Sequence, residues 1–322
     1  MTLPRRHFLE LMAGAACVPL ASHTATAQAY PARPVRLLVG FAAGGSGDVV
    51  ARLMAQWLSD HLKQTFVVEN KVGAGGNIAI DTVLRSAADG YTLLMNTMPT
   101  VVTPPLPESF DLSLESTPVA GVYQAHLVML IHPSIPAATF PEFIAYAKAN
   151  PGKINMASAG IGTAPHMSGE LFKMMTGLDI VHVPYRGGGP ALTDLLGGQA
   201  QLMFSNLPAD QYIQSGKLRA LAVTTETRSG TLPDLPAIGE FVPGYEASVA
   251  FGVCGPKGMP ADIVGKLNSQ INAGLADAQI QARFADLGAK PLVLSPAEYG
   301  KFIAEQTAKW DSVARAANIK RN

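Results

Sequence analysis

Three short segments carry residue types able to hold an anion without a lysine. The first is Ala42-Ala43-Gly44-Gly45-Ser46-Gly47-Asp48 and the second Ser158-Ala159-Gly160-Ile161-Gly162-Thr163-Ala164-Pro165-His166. The third is Tyr185-Arg186-Gly187-Gly188-Gly189-Pro190. Each follows a short apolar run and opens an amphipathic one, the pattern of a strand-loop-helix unit. The first four N–H groups of a helix lack internal acceptors, and the macrodipole makes that end partly positive. Glycine lets the main chain approach a ligand and adopt positive φ. Such loops present converging N–H donors to an anion, and Ser46 and Thr163 add hydroxyls while being of N-cap type. Tight βα turns also call for glycine and capping residues. One such loop is therefore ordinary on its own, but three in one chain point to a site.

Other side chains in these loops have more than one reading. Asp48 falls in a first helical turn, where an acid complements the dipole; it could equally accept from a ligand amine or orient a water. His166 stands in no metal spacing and beside no second histidine, which favours structural or ligand hydrogen bonding over catalysis. Arg186 is the one cation of the three loops, and both pairing with a ligand carboxylate and standing solvated at the surface remain open. Enzyme motifs fail in turn. Gly44-Gly45-Ser46-Gly47-Asp48 lacks the final glycine of a nucleophile elbow. No loop continues to G-K-[ST], and 39–47 is not G-x-G-x-x-G. No Cys, His and Asp cluster has metal spacing, so neither a metal nor a cofactor is expected.

The elements that must position these loops alternate along the chain. Strands are expected at 35–41, 66–69, 91–96, 127–131, 154–158, 181–184, 201–204, 218–224 and 251–254. Helices are expected to begin near Gly47, Asn77, Phe140, His166, Pro190, Ala209, Ala261, Ala278 and Pro296. The first helix is the clearest, with Val50, Leu53, Met54, Trp57 and Leu58 on one face. Alternation of this kind predicts an α/β fold with parallel, doubly wound sheets, whose ligands sit at the carboxyl ends of the strands. The amphipathic C-terminal segment, with Tyr299, Phe302, Ile303, Trp310 and Val313, is expected to pack on the core.

Residues 1–29 differ from the rest. Arg5-Arg6, an apolar stretch from Leu11 to Ala21 and A-x-A at 25–27 and 27–29 form an export signal, of twin-arginine type, removed after Ala27 or Ala29. Its apolar part is too short to span a bilayer. Removing it takes away Arg5, Arg6 and Glu10, leaving 22 basic against 23 acidic residues. That balance gives no case for nucleic acid or an anionic membrane surface. Cys17 leaves with the signal, so the remaining Cys254 cannot form an intramolecular disulfide and the core alone must hold the fold.

From Tyr30 to Ile319 the chain resembles the extracytoplasmic receptors of tripartite tricarboxylate transporters, the Bug proteins. The resemblance rests on Tyr30-Pro31-Ala32-Arg33-Pro34-Val35-Arg36, on Gly44-Gly45-Ser46 with Asp48 and Ala51-Arg52, and on Val67-Val68-Glu69-Asn70-Lys71. It continues through Gly73-Ala74-Gly75-Gly76-Asn77-Ile78, Asp89-Gly90-Tyr91-Thr92-Leu93-Leu94, His182-Val183-Pro184-Tyr185-Arg186-Gly187 and Asp194-Leu195-Leu196-Gly197-Gly198-Gln199. It implies a type II periplasmic-binding-protein fold, with two doubly wound domains joined by a two-crossing hinge. The expected division is 30–127 plus 252–322 for one domain and 128–251 for the other. It also implies a monomer that binds a small carboxylate between the domains and delivers it to membrane permease subunits.

The ligand contacts expected from the loops and the resemblance are Ala43, Gly44, Gly45, Ser46, Gly47 and Asp48 from the first loop. Thr97 joins them from the end of the third strand, before Met98, Pro99 and Thr100. Ser158, Gly160, Gly162, Thr163 and His166 come from the second loop, Tyr185 and Arg186 from the third, and Ser205 from the strand at 201–204. This chain departs from the family pattern in places. Ala42-Ala43 replaces prolines, Gly47 replaces a threonine, Ser205 stands where an aspartate is common, and 97–114 is shorter and richer in proline. Ligand identity therefore does not carry across. An exported enzyme on the same scaffold and a ligand-presenting sensor are the alternatives to a transport receptor.

Overall fold

In β1 (Val35–Val39), Val35, Leu37, Leu38 and Val39 are buried, while Arg36 faces outward and forks onto Glu69 with two 2.7 Å hydrogen bonds. A nearly continuous apolar run of this kind suits a parallel strand covered on both faces. β1 pairs in parallel with β2 (Phe66–Asn70) and β3 (Thr92–Met98). Between them, α1 (Ser46–Leu62) buries Val50, Ala51, Met54 and Leu58, the face its periodicity predicts. The computed structural model describes residues 30–99, 110–207, 209–230 and 232–319. The export signal expected at 1–29, with Arg5, Arg6 and Cys17, lies outside the described residues, as does Thr100.

Chain contacts separate Met1–Ala32 from Arg33–Asn322, and every element of the fold belongs to the second unit. It holds two sheets. In the first, of order β11-β4-β10-β3-β1-β2, β4 (Ser116–His126) and β10 (Ser248–Pro256) lie beside β3, and β11 (Ala289–Pro291) forms the edge. In the second, β7 (Val181–Pro184), β6 (Asn155–Ser158), β8 (Leu202–Ser205), β5 (Val128–Ile131) and β9 (Arg219–Val223) follow in that order.

The helices are α2 (Asn77–Leu84), α3 (Leu112–Glu115), α4 (Phe140–Ala149), α5 (Ala164–Thr176), α6 (Gly188–Leu196) and α7 (Asp210–Gln214). They continue with α8 (Ala261–Leu275), α9 (Ala278–Asp286) and α10 (Pro296–Ala316). The α/β class is as expected, but the sheets are mixed rather than wholly parallel. β10 runs antiparallel to β3 and β4, and β5 antiparallel to β8 and β9. The sequence pattern does not announce β4 or β11. Pro118 and Gly121 interrupt the strand pattern of β4. The sheet accommodates them with two register shifts against β10.

The chain passes from the first sheet to the second between His126 and Val128, and Thr224 ties this crossing to the returning one. Its Oγ1 donates to Ala247 O at 2.7 Å and accepts from Leu127 N at 2.8 Å. α10 spans the two cores. Tyr299 and Ile303 pack with Leu38, Leu94 and Cys254, and Trp310 and Val313 with Met167 and Phe172. Burial pushes the Cys254 thiol up to about 12, so it stays protonated and inert.

Candidate functional site

The carboxyl ends of β1, β6 and β7 deliver the three glycine loops to one place. Gly187 of the third loop comes so near the first that a Cβ built on it would stand 3.2 Å from Ala42 Cβ. Gly75, at φ +63°, would place a Cβ against the Ile161 carbonyl of the second loop. A cavity of about 40 Å³ remains between the sheets. The first sheet and its loops line it with Phe41, Gly45, Ser46, Gly47, Thr97, Val249 and Phe251. From the other side come Ala159, Thr163, Ala164, Pro165, Gly188, Met203, Asn206 and Leu207.

The starts of α1, α5 and α6 therefore meet at this cavity. Ser46 is the first helical residue of α1, not its cap: Gly45 holds the cap position in an extended conformation and makes no side-chain cap bond. Thr163 does cap α5 by position, yet its Oγ1 donates to Gly160 O at 2.7 Å instead of accepting from the helix. Gly187 precedes α6 with no side chain at all. By contrast Asp111, Thr139, Asp277 and Ser295 cap α3, α4, α9 and α10 with their own oxygens. Caps are also missing at α2, α7 and α8, so only the convergence at the cavity distinguishes the three. Their first-turn N–H groups, lacking both caps and intrahelical acceptors, form a donor cluster suited to a carboxylate.

Several expected contacts stand behind this surface and shape it. The Asp48 carboxylate accepts from Gly44 N at 3.0 Å and Asn70 Nδ2 at 2.9 Å, and pairs with Arg52 at 2.9 Å. Burial works against its ionisation, but the hydrogen bonds from Arg52, Gly44 and Asn70 and the Arg52 charge outweigh this and hold its pKa below the ordinary value. With its oxygens so engaged, Asp48 anchors the first loop. Ser158 is buried, with Oγ accepting from Gly160 N at 3.1 Å and bonded to His182 Nε2 at 2.7 Å. His166 Nδ1 accepts from Gly162 N at 3.0 Å, and its ring stacks on His182 at 3.8 Å.

Burial, then the charges of His182 and Lys173, lower the His166 pKa to about 3; burial, then Lys173, lowers that of His182 to about 4. Both rings are neutral at neutral pH and serve the second loop as uncharged struts. Tyr185 turns its hydroxyl onto Asp194 at 2.7 Å, and burial followed by this bond pushes its pKa up to about 12. Ser205 accepts from Leu207 N at 3.0 Å and closes the turn after β8. Ala43, Gly44 and Arg186 do not line the cavity. Of the expected contacts, Gly45, Ser46, Gly47, Thr97 and Thr163 line it.

Sequence reasoning missed the residues that arrive from distant strands. Ser46 Oγ donates to Asn206 Oδ1 at 3.3 Å, and Asn206 Nδ2 donates to Tyr123 Oη at 2.8 Å. Tyr123 is fully buried and stacks on Phe251 with ring centres 5.0 Å apart. Asn206 and Leu207 also line a second cavity, of about 270 Å³, beside the crossing strands at Leu127 and Val223. Among the described residues no group of three or more His, Cys, Asp or Glu could hold a metal ion, and no helix is long and apolar enough to cross a membrane.

The chain is similar to known proteins over most of its length. Residues 50–319 match the family described as tripartite tricarboxylate transporter family receptor. Protein BugT of Bordetella pertussis is 39% identical over 301 residues, covering 92% of each chain. The structure of Rpa4515 from R. palustris with adipate is 36% identical with a TM-score of 0.84, over 90% of this chain and 98% of that one. MatC from Rhodopseudomonas palustris, with bound malate, is 30% identical with a TM-score of 0.82, over 88% of this chain and 99% of that one.

Proposed function

The chain belongs to the tripartite tricarboxylate transporter family of receptors, and on that premise we propose that it is a periplasmic solute-binding receptor, not an enzyme. It captures a small carboxylate-bearing organic acid between its two sheets, which part to make room beyond the cavity of about 40 Å³, and hands it to the membrane subunits of a tripartite transporter. One observation carries this reading: three helix starts without side-chain caps, contributed by both sheets, surround one cavity. Backbone N–H groups near Gly45–Gly47, Ala164 and Gly188 hold the carboxylate, with the Ser46 hydroxyl turning from Asn206 onto it and Thr97 beside it. The lobes close on it about the crossings at Leu127 and Thr224, which tie the two sheets together beside α10. The carboxylate-bound neighbours, with adipate and malate, support the ligand class.

The test is a thermal-shift and calorimetric screen of the mature protein against mono-, di- and tricarboxylates and amino acids. Binding stabilises the folded state by mass action, about 2.7 kcal/mol at a hundredfold excess over Kd. Saturable binding without chemical change of the acid is expected. Turnover of a bound acid, or no response to any acid, overturns the reading.

A further inference from the structure

The cavity of about 270 Å³ beside the crossings is near the lower end of the size of small-molecule sites, roughly 300 Å³ and upward. Its walls are hydrocarbon from both sides of the molecule. Leu287 precedes β11 of the first sheet, and Leu130, Leu207, Ile213 and Val223 lie on or beside the strands of the second. Asp210 opens α7 and Asp286 closes α9, and both are exposed, so they mark the mouth. Among the described residues they are the only charged groups of the lining. No lysine or arginine joins them, and burial lowers the pKa of His126, which stays neutral at neutral pH.

Neither carboxylate is spent on a partner within the fold. Asp210 makes no ion pair or side-chain hydrogen bond among the described residues. Asp286 faces Arg283 at 3.9 Å, beyond hydrogen-bond reach, with both side chains largely exposed. Arg228, next to the wall residue Ser229, is turned onto Glu240 and the Pro233 carbonyl. An anion entering here meets two like charges, so the acid of the first cavity is a poor occupant. An ammonium is attracted by both, and hydrocarbon attached to it gains by leaving water for the apolar walls. We propose that this cavity is a second ligand site, for a small organic amine with an aliphatic or aromatic body. The ammonium stays at the mouth, facing Asp210 and Asp286, and the body lies against Leu130, Ile213 and Val223. The bound amine touches both lobes beside the place where the chain crosses between them.

Two pairs of compounds that differ only in charge test this by calorimetry on the mature protein: benzylamine against benzyl alcohol, and hexylamine against hexanol. Exposed charges attract modestly, so each amine is expected to bind about fivefold more tightly than its alcohol, and less so at high salt. The double variant Asp210→Asn, Asp286→Asn changes only exposed side chains and is expected to bring amine and alcohol within about twofold of each other. Ile213→Trp, checked for folding by circular dichroism, fills the cavity and is expected to abolish binding of both. Methyl signals of Leu130 and Val223 are expected to shift as benzylamine is added. If the tryptophan variant does not fold, the asparagine variant and the methyl shifts decide. An alcohol binding as tightly as its amine, or an amine advantage that survives both asparagines, overturns the inference. So does amine binding untouched by a folded Ile213→Trp, a shift confined to other methyl groups, or no binding of either amine. Each of these leaves the carboxylate reading of the first cavity in place.

Discussion

Ser46 Oγ donates to Asn206 Oδ1 at 3.3 Å, joining the start of α1 on the first sheet to the end of β8 on the second. Asn206 passes the connection on to the Tyr123 hydroxyl, which burial holds far above its ordinary pKa and therefore protonated. Asn206→Ala removes the partner of a buried phenol, at a cost of about 1–3 kcal/mol. It also removes a bond that joins the first sheet's α1 to the end of β8 on the second. The expected outcome is lower stability in urea together with weaker acid binding. Ser46→Ala is expected to weaken binding with little loss of stability, because its hydroxyl is only partly buried. Paired denaturation and titration of the two variants separates these effects.

The contact between Gly47 and Phe251 gives a second prediction. Helix propensity alone favours alanine over glycine by up to about 1 kcal/mol. A methyl at Gly47 would nevertheless press on the Phe251 ring, which stacks on Tyr123. Displacing that ring costs about 1–3 kcal/mol and moves it into the cavity. Gly47→Ala is expected to lower affinity for the preferred acid at least about tenfold, with a smaller change in melting temperature. An unchanged affinity would show that the ring has free space.

The stacked pair His166 and His182 makes stability depend on pH. Their folded pKa values, about 3 and about 4, lie below the ordinary 6.5. Between those limits the unfolded chain binds protons that the folded one does not. Stability is therefore full above about pH 6.5 and falls as pH drops towards 3, by on the order of 5 kcal/mol for the pair. Asp48 acts in the same direction at the acid end, since its pKa is lowered from 3.8 and its contribution is lost as it protonates. Urea titrations at about pH 7.5, 6, 5 and 4 are expected to show this slope. The double variant His166→Gln, His182→Asn is expected to start less stable and to show a shallower slope over the same range.

The places where a helix starts near the cavity were legible because glycine, hydroxyl and apolar periodicity are local signals. Which way the loop side chains turn was not. Asp48, Ser158 and His166 look like ligand contacts by type and position, yet each folds back to hold its own loop, a choice decided by Arg52, Gly160 and His182. Tyr123, Asn206 and Phe251 escaped notice for the opposite reason. Tyr123 and Phe251 reach the site from β4 and β10, whose pairing spans more than a hundred residues. Asn206 comes from the end of β8, which pairs with β5 and β6 far back in the chain, and no short-range pattern encodes either. Pro118 and Gly121 further hid β4, although bulges absorb both.

Thr224 offers the most direct probe of the crossings. Its N–H donates to Leu127 O at 2.9 Å and its carbonyl accepts from Ala247 N at 2.9 Å, while its hydroxyl serves Leu127 N and Ala247 O. All three residues are fully buried, so no water can replace the hydroxyl. Thr224→Val keeps the shape but leaves one donor and one acceptor unpaired, a loss of about 2–4 kcal/mol. Thr224→Ser keeps both bonds and is expected to restore most of that loss. If the tie also sets how the lobes move, hydrogen exchange at the Leu127 amide will quicken in the valine variant, and small-angle scattering will show a broader range of lobe separations without ligand. Normal exchange at Leu127 in a destabilised valine variant would confine Thr224 to a packing role and leave the crossings held by their main-chain bonds alone.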